Sequence, residues 1–147
     1  MNNIFITRVE NISPELLVAF EKLVPQLTKA TCPSPDDLQK LLDSPSILIV
    51  ARTTSLDGPI IGAGTLGVFR TPSGVHAHVE DVIVDESYRG QGVGETLVSE
   101  LLLIARQMGL KGVSLTCNPR RVPANRLYQK MGFKKWDTNT YWYELEP

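Results

Sequence analysis

The sequence predicts a single α+β domain with a mixed, mostly antiparallel twisted sheet of about seven strands and about four helices. Three observations predict it. The middle of the 147-residue chain carries three apolar, β-branched segments separated by turns. Amphipathic segments with helix-capping signals lie before and after them. A glycine-rich loop joins the last of these strands to the longest amphipathic segment.

The N-terminal part predicts one strand followed by two helices. Residues 4–9 are mostly β-branched or aromatic, which is typical of a strand. Ser13 and Pro14 supply an N-cap and a first-turn proline, so a helix is expected from there to about residue 27. Ser34 and Pro35 repeat this start signal before a short apolar stripe.

The middle of the chain predicts an antiparallel meander. Strands are expected over residues 46–53, 60–69 and 75–84, because turn residues stand between these apolar runs. A helix over about 92–108 then leads to a fifth strand at 112–116, as in a βαβ crossover.

The C-terminal part predicts one helix and a hairpin. Pro123 opens a short helix that Gly132 ends. Residues 133–136 and 141–145 are rich in aromatic side chains and are expected to pair as the last two strands. No linker divides the chain, so residues 1–147 are interpreted as one domain.

Composition excludes several classes of protein. The net charge is −1, without the basic excess of a nucleic-acid surface. No apolar stretch is long enough for a membrane span, and the start lacks a secretory pattern, so a cytoplasmic protein is expected. Cys32 and Cys117 have neither disulfide-framework nor metal-ligand spacing, so we expect free thiols and no metal.

The loop after the fourth strand predicts a phosphate site. Gly90, Gly92 and Gly94 precede a helix whose first amides have no internal acceptor and whose dipole adds positive charge. A nucleotide P-loop is excluded because no Gly-Lys-Ser/Thr follows, and the dinucleotide fingerprint has a different glycine spacing.

Two motifs identify a family. The spacing Arg89-x-x-Gly92-x-Gly94 resembles the pyrophosphate loop of the GNAT family of N-acetyltransferases. The later stretch 121–133 resembles the same family's Asn-x-x-Ala-x-x-Leu-Tyr-x-Lys-x-Gly-Phe motif, with Arg121 at the place of the first asparagine. The predicted element order is also that of the family, and the resemblance implies a sheet splayed between its fourth and fifth strands.

The resemblance implies that acetyl-CoA is the co-substrate and that its acetyl group passes directly to an amine within a ternary complex. The splay would leave the backbone of Val82, Ile83 and Val84 free for the pantetheine arm. Asn118 and Asn125 would take over the contacts of the missing asparagine. The residues expected to hold the pyrophosphate are Arg89, Gly90, Gln91, Gly92, Val93, Gly94 and Glu95.

Three side chains are candidates for the chemistry. Tyr128 stands where several family members have a general acid, the alternative being a ring that only packs. Glu80 is the candidate for amine recognition or general base, the alternative being a cross-strand ion pair. Asp81, expected on the opposite strand face, is a second substrate-binding candidate. His76 and His78 share a face with Glu80 and are interpreted as rim residues.

The acceptor stays open at this point. The stretch 78–84 resembles that of glucosamine-6-phosphate N-acetyltransferases, but also that of acetyltransferases with other substrates. A small-molecule primary amine is the leading expectation, with an amino-sugar phosphate or a protein amine as alternatives. A CoA-binding regulatory module without turnover and a plain nucleotide-binding domain are the competing classes. Because dimers are common in the family, the resemblance also admits a homodimer.

Overall fold

A computed structural model describes residues 3–146, which form two compact units, residues 3–115 and residues 116–146. The larger unit contains a four-stranded antiparallel sheet and three α-helices, and the smaller unit contains a fourth helix. In chain order the elements are β1 (Ile4–Arg8), α1 (Pro14–Leu27), α2 (Pro35–Asp43), β2 (Ile47–Thr53), β3 (Ile60–Thr71), β4 (Gly74–Val84), α3 (Val93–Gln107) and α4 (Val122–Lys130).

The helices of the larger unit begin where the sequence signals them. The Ser13 hydroxyl accepts from the Leu16 amide at 3.1 Å and caps α1. Ser34 and Asp37 form a reciprocal capping box at the start of α2. Pro25 lies inside α1, whose last turn continues past it to Leu27.

The sheet has the strand order β1-β2-β3-β4, and helices cover both of its faces. One face packs against α1 and α2 in a core of Leu16, Phe20, Leu23, Leu38, Leu48, Val50, Ala63 and Ile83. On the other face, Gly62 and Gly64 lie under Leu97 and Leu101 of α3. The sheet and α3 together fix the end of β4, where α3 also begins.

A β-bulge at Asp81 changes the direction in which the side chains of β4 point. Thr65 pairs with Glu80 and Ala63 pairs with Ile83, so β4 has one more residue than β3 between these pairs. Asp81 has φ +47°, a left-handed conformation that is uncommon for a non-glycine residue. Glu80 and Asp81 are therefore both exposed, and the expectation that they lie on opposite faces is wrong.

The described residues contain four strands rather than the predicted seven. The fifth strand is reduced to one parallel bridge between His78 and Ser114. Residues 133–146 form no strand, and Trp136, Tyr141 and Trp142 are 77%, 86% and 87% exposed. Strand propensity reflects packing on a half-buried surface, so an aromatic-rich segment without burial does not form the predicted hairpin.

Candidate active site

The glycine loop presents unpaired backbone amides. After β4 a short 3-10 helix spans Glu86–Tyr88, and Gly92 then caps α3 without any side-chain hydrogen bond. Across residues 3–146, the structure pairs none of the amides of Gln91, Gly92, Val93 and Gly94 with an acceptor. These amides stand at the positive end of the α3 dipole, where an anion is stabilised.

The space above this loop is open. Gly90 and Gly92 have φ +74° and +84°, and a Cβ built at either position would meet nothing within 4 Å. Gly94 differs, because its Cβ would lie 3.7 Å from the Val84 side chain, an ordinary packing distance. The loop can therefore admit a ligand against the backbone of Gly90 and Gly92, while Gly94 rests on the end of β4.

The end of β4 is paired on one side only within residues 3–115. Ala63 and Gly62 of β3 pair with Ile83 and Val84. On the other edge, Ser114 exchanges backbone hydrogen bonds with Ala77 and Val79, at 3.1 and 2.8 Å, before the bulge. The backbone of Val82 and Ile83 has no strand on that edge of the larger unit, as a splay requires.

Arg89 folds back onto this strand end. Its Nε donates to the Val84 carbonyl at 3.1 Å, so that carbonyl is already occupied. Arg89 therefore links the loop to β4, which is a structural contact that the sequence motif alone does not reveal.

Helix α1 anchors the start of the loop through two side chains, one of which pairs with a buried carboxylate. The Asp85 carboxylate is 4% exposed and lies 2.5 Å from Lys22 Nζ. Its other oxygen accepts from the Ser87 amide at 3.1 Å, and Gln26 Oε1 accepts from the Glu86 amide at 2.8 Å. The hydrogen bond from Lys22 holds the pKa of Asp85 below its ordinary value although burial opposes this.

Glu80 stands on an exposed face beside aromatic rings. Within residues 3–115 its carboxylate has no hydrogen-bond or ion-pair partner, so the alternative of a cross-strand ion pair is wrong in this structure. Phe69 stacks between His76 and His78, with ring centroids 5.3 and 5.2 Å apart. The Ser114 hydroxyl bonds Nδ1 of His78. An unpaired carboxylate on this face is free to meet a cationic amine.

Tyr128 lies on α4 in the smaller unit and is half-buried. Its ring meets that of Phe133 edge-on at 5.8 Å between centroids. Burial, with a smaller effect of Cys117, raises the pKa of the Tyr128 hydroxyl above its ordinary value of about 10. The hydroxyl therefore stays protonated at neutral pH, as a proton donor must.

Asn118 and Asn125 build the loop that precedes α4. The side-chain nitrogen of Asn125 donates to the carbonyls of Asn118 and Arg121, at 2.9 and 2.8 Å. Asn118 Oδ1 accepts from the Arg120 amide at 2.9 Å. These hydrogen bonds hold the carbonyls of Asn118 and Arg121 and the amide of Arg120, and Oδ1 of Asn125 accepts no hydrogen bond within residues 116–146.

The site residues predicted from the sequence are divided between the two compact units. The larger unit contains the loop residues 89–95, the strand end 82–84, and Glu80 and Asp81, which are exposed. The smaller unit brings together Asn118, Asn125 and Tyr128. Sequence reasoning missed Asp85, Lys22 and Gln26. Only Asp85 had a signal, an acid that follows an apolar strand and precedes a short helical turn.

The described residues hold neither a cluster of metal-ligand side chains nor a membrane-spanning helix. Residues 3–146 contain no group of three or more His, Cys, Asp or Glu side chains that could hold a metal ion. None of the helices in that range combines the length and hydropathy needed to cross a bilayer.

Comparison with known sequences gives one family and named relatives. The profile of the acetyltransferase (GNAT) family matches residues 15–133. A glucosamine 6-phosphate N-acetyltransferase of Trypanosoma brucei brucei is 36% identical over 80 residues, 52% of each chain. A probable glucosamine 6-phosphate N-acetyltransferase 2 of Oryza sativa subsp. japonica is 36% identical over 100 residues, 66% of this chain and 58% of the relative. The chain thus spans about half the length of the curated relatives it matches.

Solved structures show the same fold over nearly the whole chain. A Trypanosoma brucei acetyltransferase superimposes with a TM-score of 0.75 and 27% identity, covering 97% of this chain and 100% of that one. An aminoglycoside acetyltransferase from an uncultured soil sample, in complex with trehalose, gives a TM-score of 0.81 at 21% identity, covering 97% of each chain. The four helices and the antiparallel sheet described above therefore belong to an α+β fold of known type.

Proposed function

Because the chain belongs to the acetyltransferase (GNAT) family, we propose that it transfers the acetyl group of acetyl-CoA to a primary amine of a small molecule. The observation that carries this proposal is the run of unpaired amides from Gln91 to Gly94, with open space at Gly90 and Gly92. A diphosphate is the anion that such a row accommodates at a helix N-terminus. The coenzyme that this family uses contains one.

The larger unit supplies two adjoining surfaces for the coenzyme. The amides of the loop, with those of Gly90 and Glu95 at its ends, hold the diphosphate. The unpaired edge of Val82 and Ile83 then accepts the amide groups of the pantetheine arm as a further strand would. The Val84 carbonyl contributes less, because Arg89 occupies it. For the smaller unit by itself, Asn118 and Asn125 are the candidate coenzyme contacts.

The acceptor amine needs a negative group and a base. An alkyl amine has a pKa near about 10, so deprotonation at pH 7 costs on the order of 4 kcal/mol. Glu80 has an exposed carboxylate without a partner in the larger unit, and Asp81 lies next to it because of the bulge. We assign Glu80 to amine binding and proton removal, directly or through water, and Asp81 to amine binding.

The leaving thiolate needs a proton donor. A thiol has a pKa of roughly 8.5, so a group that stays protonated above this value is a suitable acid. Tyr128 meets that condition, because burial raises the pKa of its hydroxyl. We assign Tyr128 as the general acid of a direct transfer in a ternary complex.

Glucosamine 6-phosphate is the first acceptor to test, because relatives of this chain carry that activity in their names. A release assay for the thiol of coenzyme A should cover glucosamine 6-phosphate, aminoglycosides, polyamines and a lysine peptide. Turnover with at least one small amine supports the proposal. Binding of coenzyme A without thiol release across the panel would instead indicate a regulatory module, and tighter binding of ATP or NAD would indicate a nucleotide-binding domain.

A further inference from the structure

The chain carries a buried carboxylate at the start of the glycine loop, outside the residues assigned to binding and catalysis. Asp85 follows β4 directly and is 3% exposed. Its backbone amide donates to the Ile61 carbonyl at 2.9 Å, and its carbonyl accepts from the Tyr88 amide at 2.8 Å. Together with its side-chain bond to Ser87, these contacts fix the turn from which the loop departs.

Two side chains of helix α1 make further contacts with this turn. Lys22 and Gln26 stand one helical turn apart, so they lie on the same face of α1. Lys22 pairs with the Asp85 carboxylate, and Gln26 accepts the Glu86 amide. Without Lys22, a buried negative charge at Asp85 would have no cation beside it, six to nine residues before the amides of Gln91 to Gly94, and a like charge there opposes an incoming diphosphate.

We propose that Lys22 and Asp85 form a positioning pair: Asp85 holds the turn from which the diphosphate loop departs, and Lys22 neutralises the charge of that carboxylate. This inference rests on the proposed function, since it assigns a role toward the same coenzyme. Asp85 fixes the loop through the Ser87 amide, and Lys22 keeps that acid ionised and electrically balanced. Neither side chain is a catalytic residue, because neither touches the reacting atoms.

A comparison of substrates with and without the diphosphate distinguishes a misplaced diphosphate loop from a general loss of folded structure. S-acetylpantetheine has the thioester and the pantetheine arm but no diphosphate. The variant Lys22→Met should raise the Kd for coenzyme A about tenfold and leave kcat/KM for S-acetylpantetheine within about twofold of the wild type. The double variant Lys22→Met, Asp85→Asn should recover most of the affinity, because it removes the unpaired charge and keeps an oxygen that accepts from Ser87.

The chain offers a matched control on the same helix. Glu15 of α1 pairs with Arg52 of β2 at 2.7 Å, in an ion pair that includes no residue of the loop. The variant Glu15→Gln therefore breaks a comparable ion pair, and we expect coenzyme A affinity to stay within about twofold of the wild type. Rescue by Lys22→Arg would further show that the charge at this position matters.

Two results would overturn the inference. One is an unchanged Kd for coenzyme A in Lys22→Met. The other is an equal loss with coenzyme A and S-acetylpantetheine, since a merely structural defect affects both. These results differ from failure of the proposed function, in which the wild-type chain itself does not bind coenzyme A in the same titration.

Discussion

Replacing Gly92 by leucine is expected to abolish coenzyme A binding while the chain stays folded. Gly92 has φ +84°, where an L-residue costs about 1–2 kcal/mol. A Cβ there would meet no protein atom within 4 Å, so no clash adds to this cost. The leucine side chain would instead occupy the open space above the amides of Gln91 to Gly94, which is where we place the diphosphate.

The number of hydrogen bonds lost sets the expected loss of coenzyme A affinity. A hydrogen bond to a charged group contributes about 1.5–3 kcal/mol, so losing two of them weakens binding by roughly a hundredfold or more. Gly109 provides the matched control, because it has φ +74°, equally open surroundings and a place at the other end of α3. Gly109→Leu should lower stability by a similar amount, about 1–2 kcal/mol, with no loss of affinity.

Isothermal titration with coenzyme A and thermal unfolding of both variants together test this reasoning. The expected result is a similar fall in Tm for both variants and a loss of binding in Gly92→Leu alone. Wild-type affinity in a folded Gly92→Leu variant would refute the diphosphate placement. An equal loss of affinity in both variants would show that backbone strain, and not blocked access, causes the effect.

Three further substitutions test the assigned side chains. Tyr128→Phe should lower kcat at least about tenfold without changing the Kd for coenzyme A, and an unchanged kcat in the thiol-release assay would remove Tyr128 from the mechanism. Glu80→Gln should lower kcat/KM for the amine at least about tenfold, whereas Glu21→Gln on the exposed side of α1 should have no effect. Asp85→Asn should destabilise the protein most above about pH 4, because the stability that a lowered carboxyl pKa adds is fully present above the unfolded value of about 3.9 and is lost as the pH falls through the folded value. Urea unfolding at several pH values measures this, and a difference that does not shrink as the pH falls would contradict it.

Local signals in the sequence predicted the elements of the larger unit well. Ser13 and Ser34 cap α1 and α2 as expected, and the amphipathic helix predicted over about 92–108 buries Val93, Leu97, Val98, Leu101 and Ala105, whereas Met108 at its end is exposed. Such features depend on residues near one another in the chain, so periodicity and capping chemistry reveal them. The glycine spacing likewise predicted the open, unpaired loop.

Features that depend on distant pairing were not predictable. The bulge at Asp81 arises from the register between β3 and β4, and an alternating pattern cannot show one extra residue. The aromatic residues of 133–145 have high strand propensity, but the structure leaves most of them exposed and outside any strand. The ion pair of Lys22 with Asp85 joins residues far apart in the chain, which no local spacing encodes.

A crystal structure with bound coenzyme A tests the central claim most directly. We expect oxygens of the diphosphate within about 3 Å of the amide nitrogens of Gln91, Gly92, Val93 and Gly94, above the glycine loop. A structure in which protein atoms cap those amides, and the diphosphate lies elsewhere, would contradict the account.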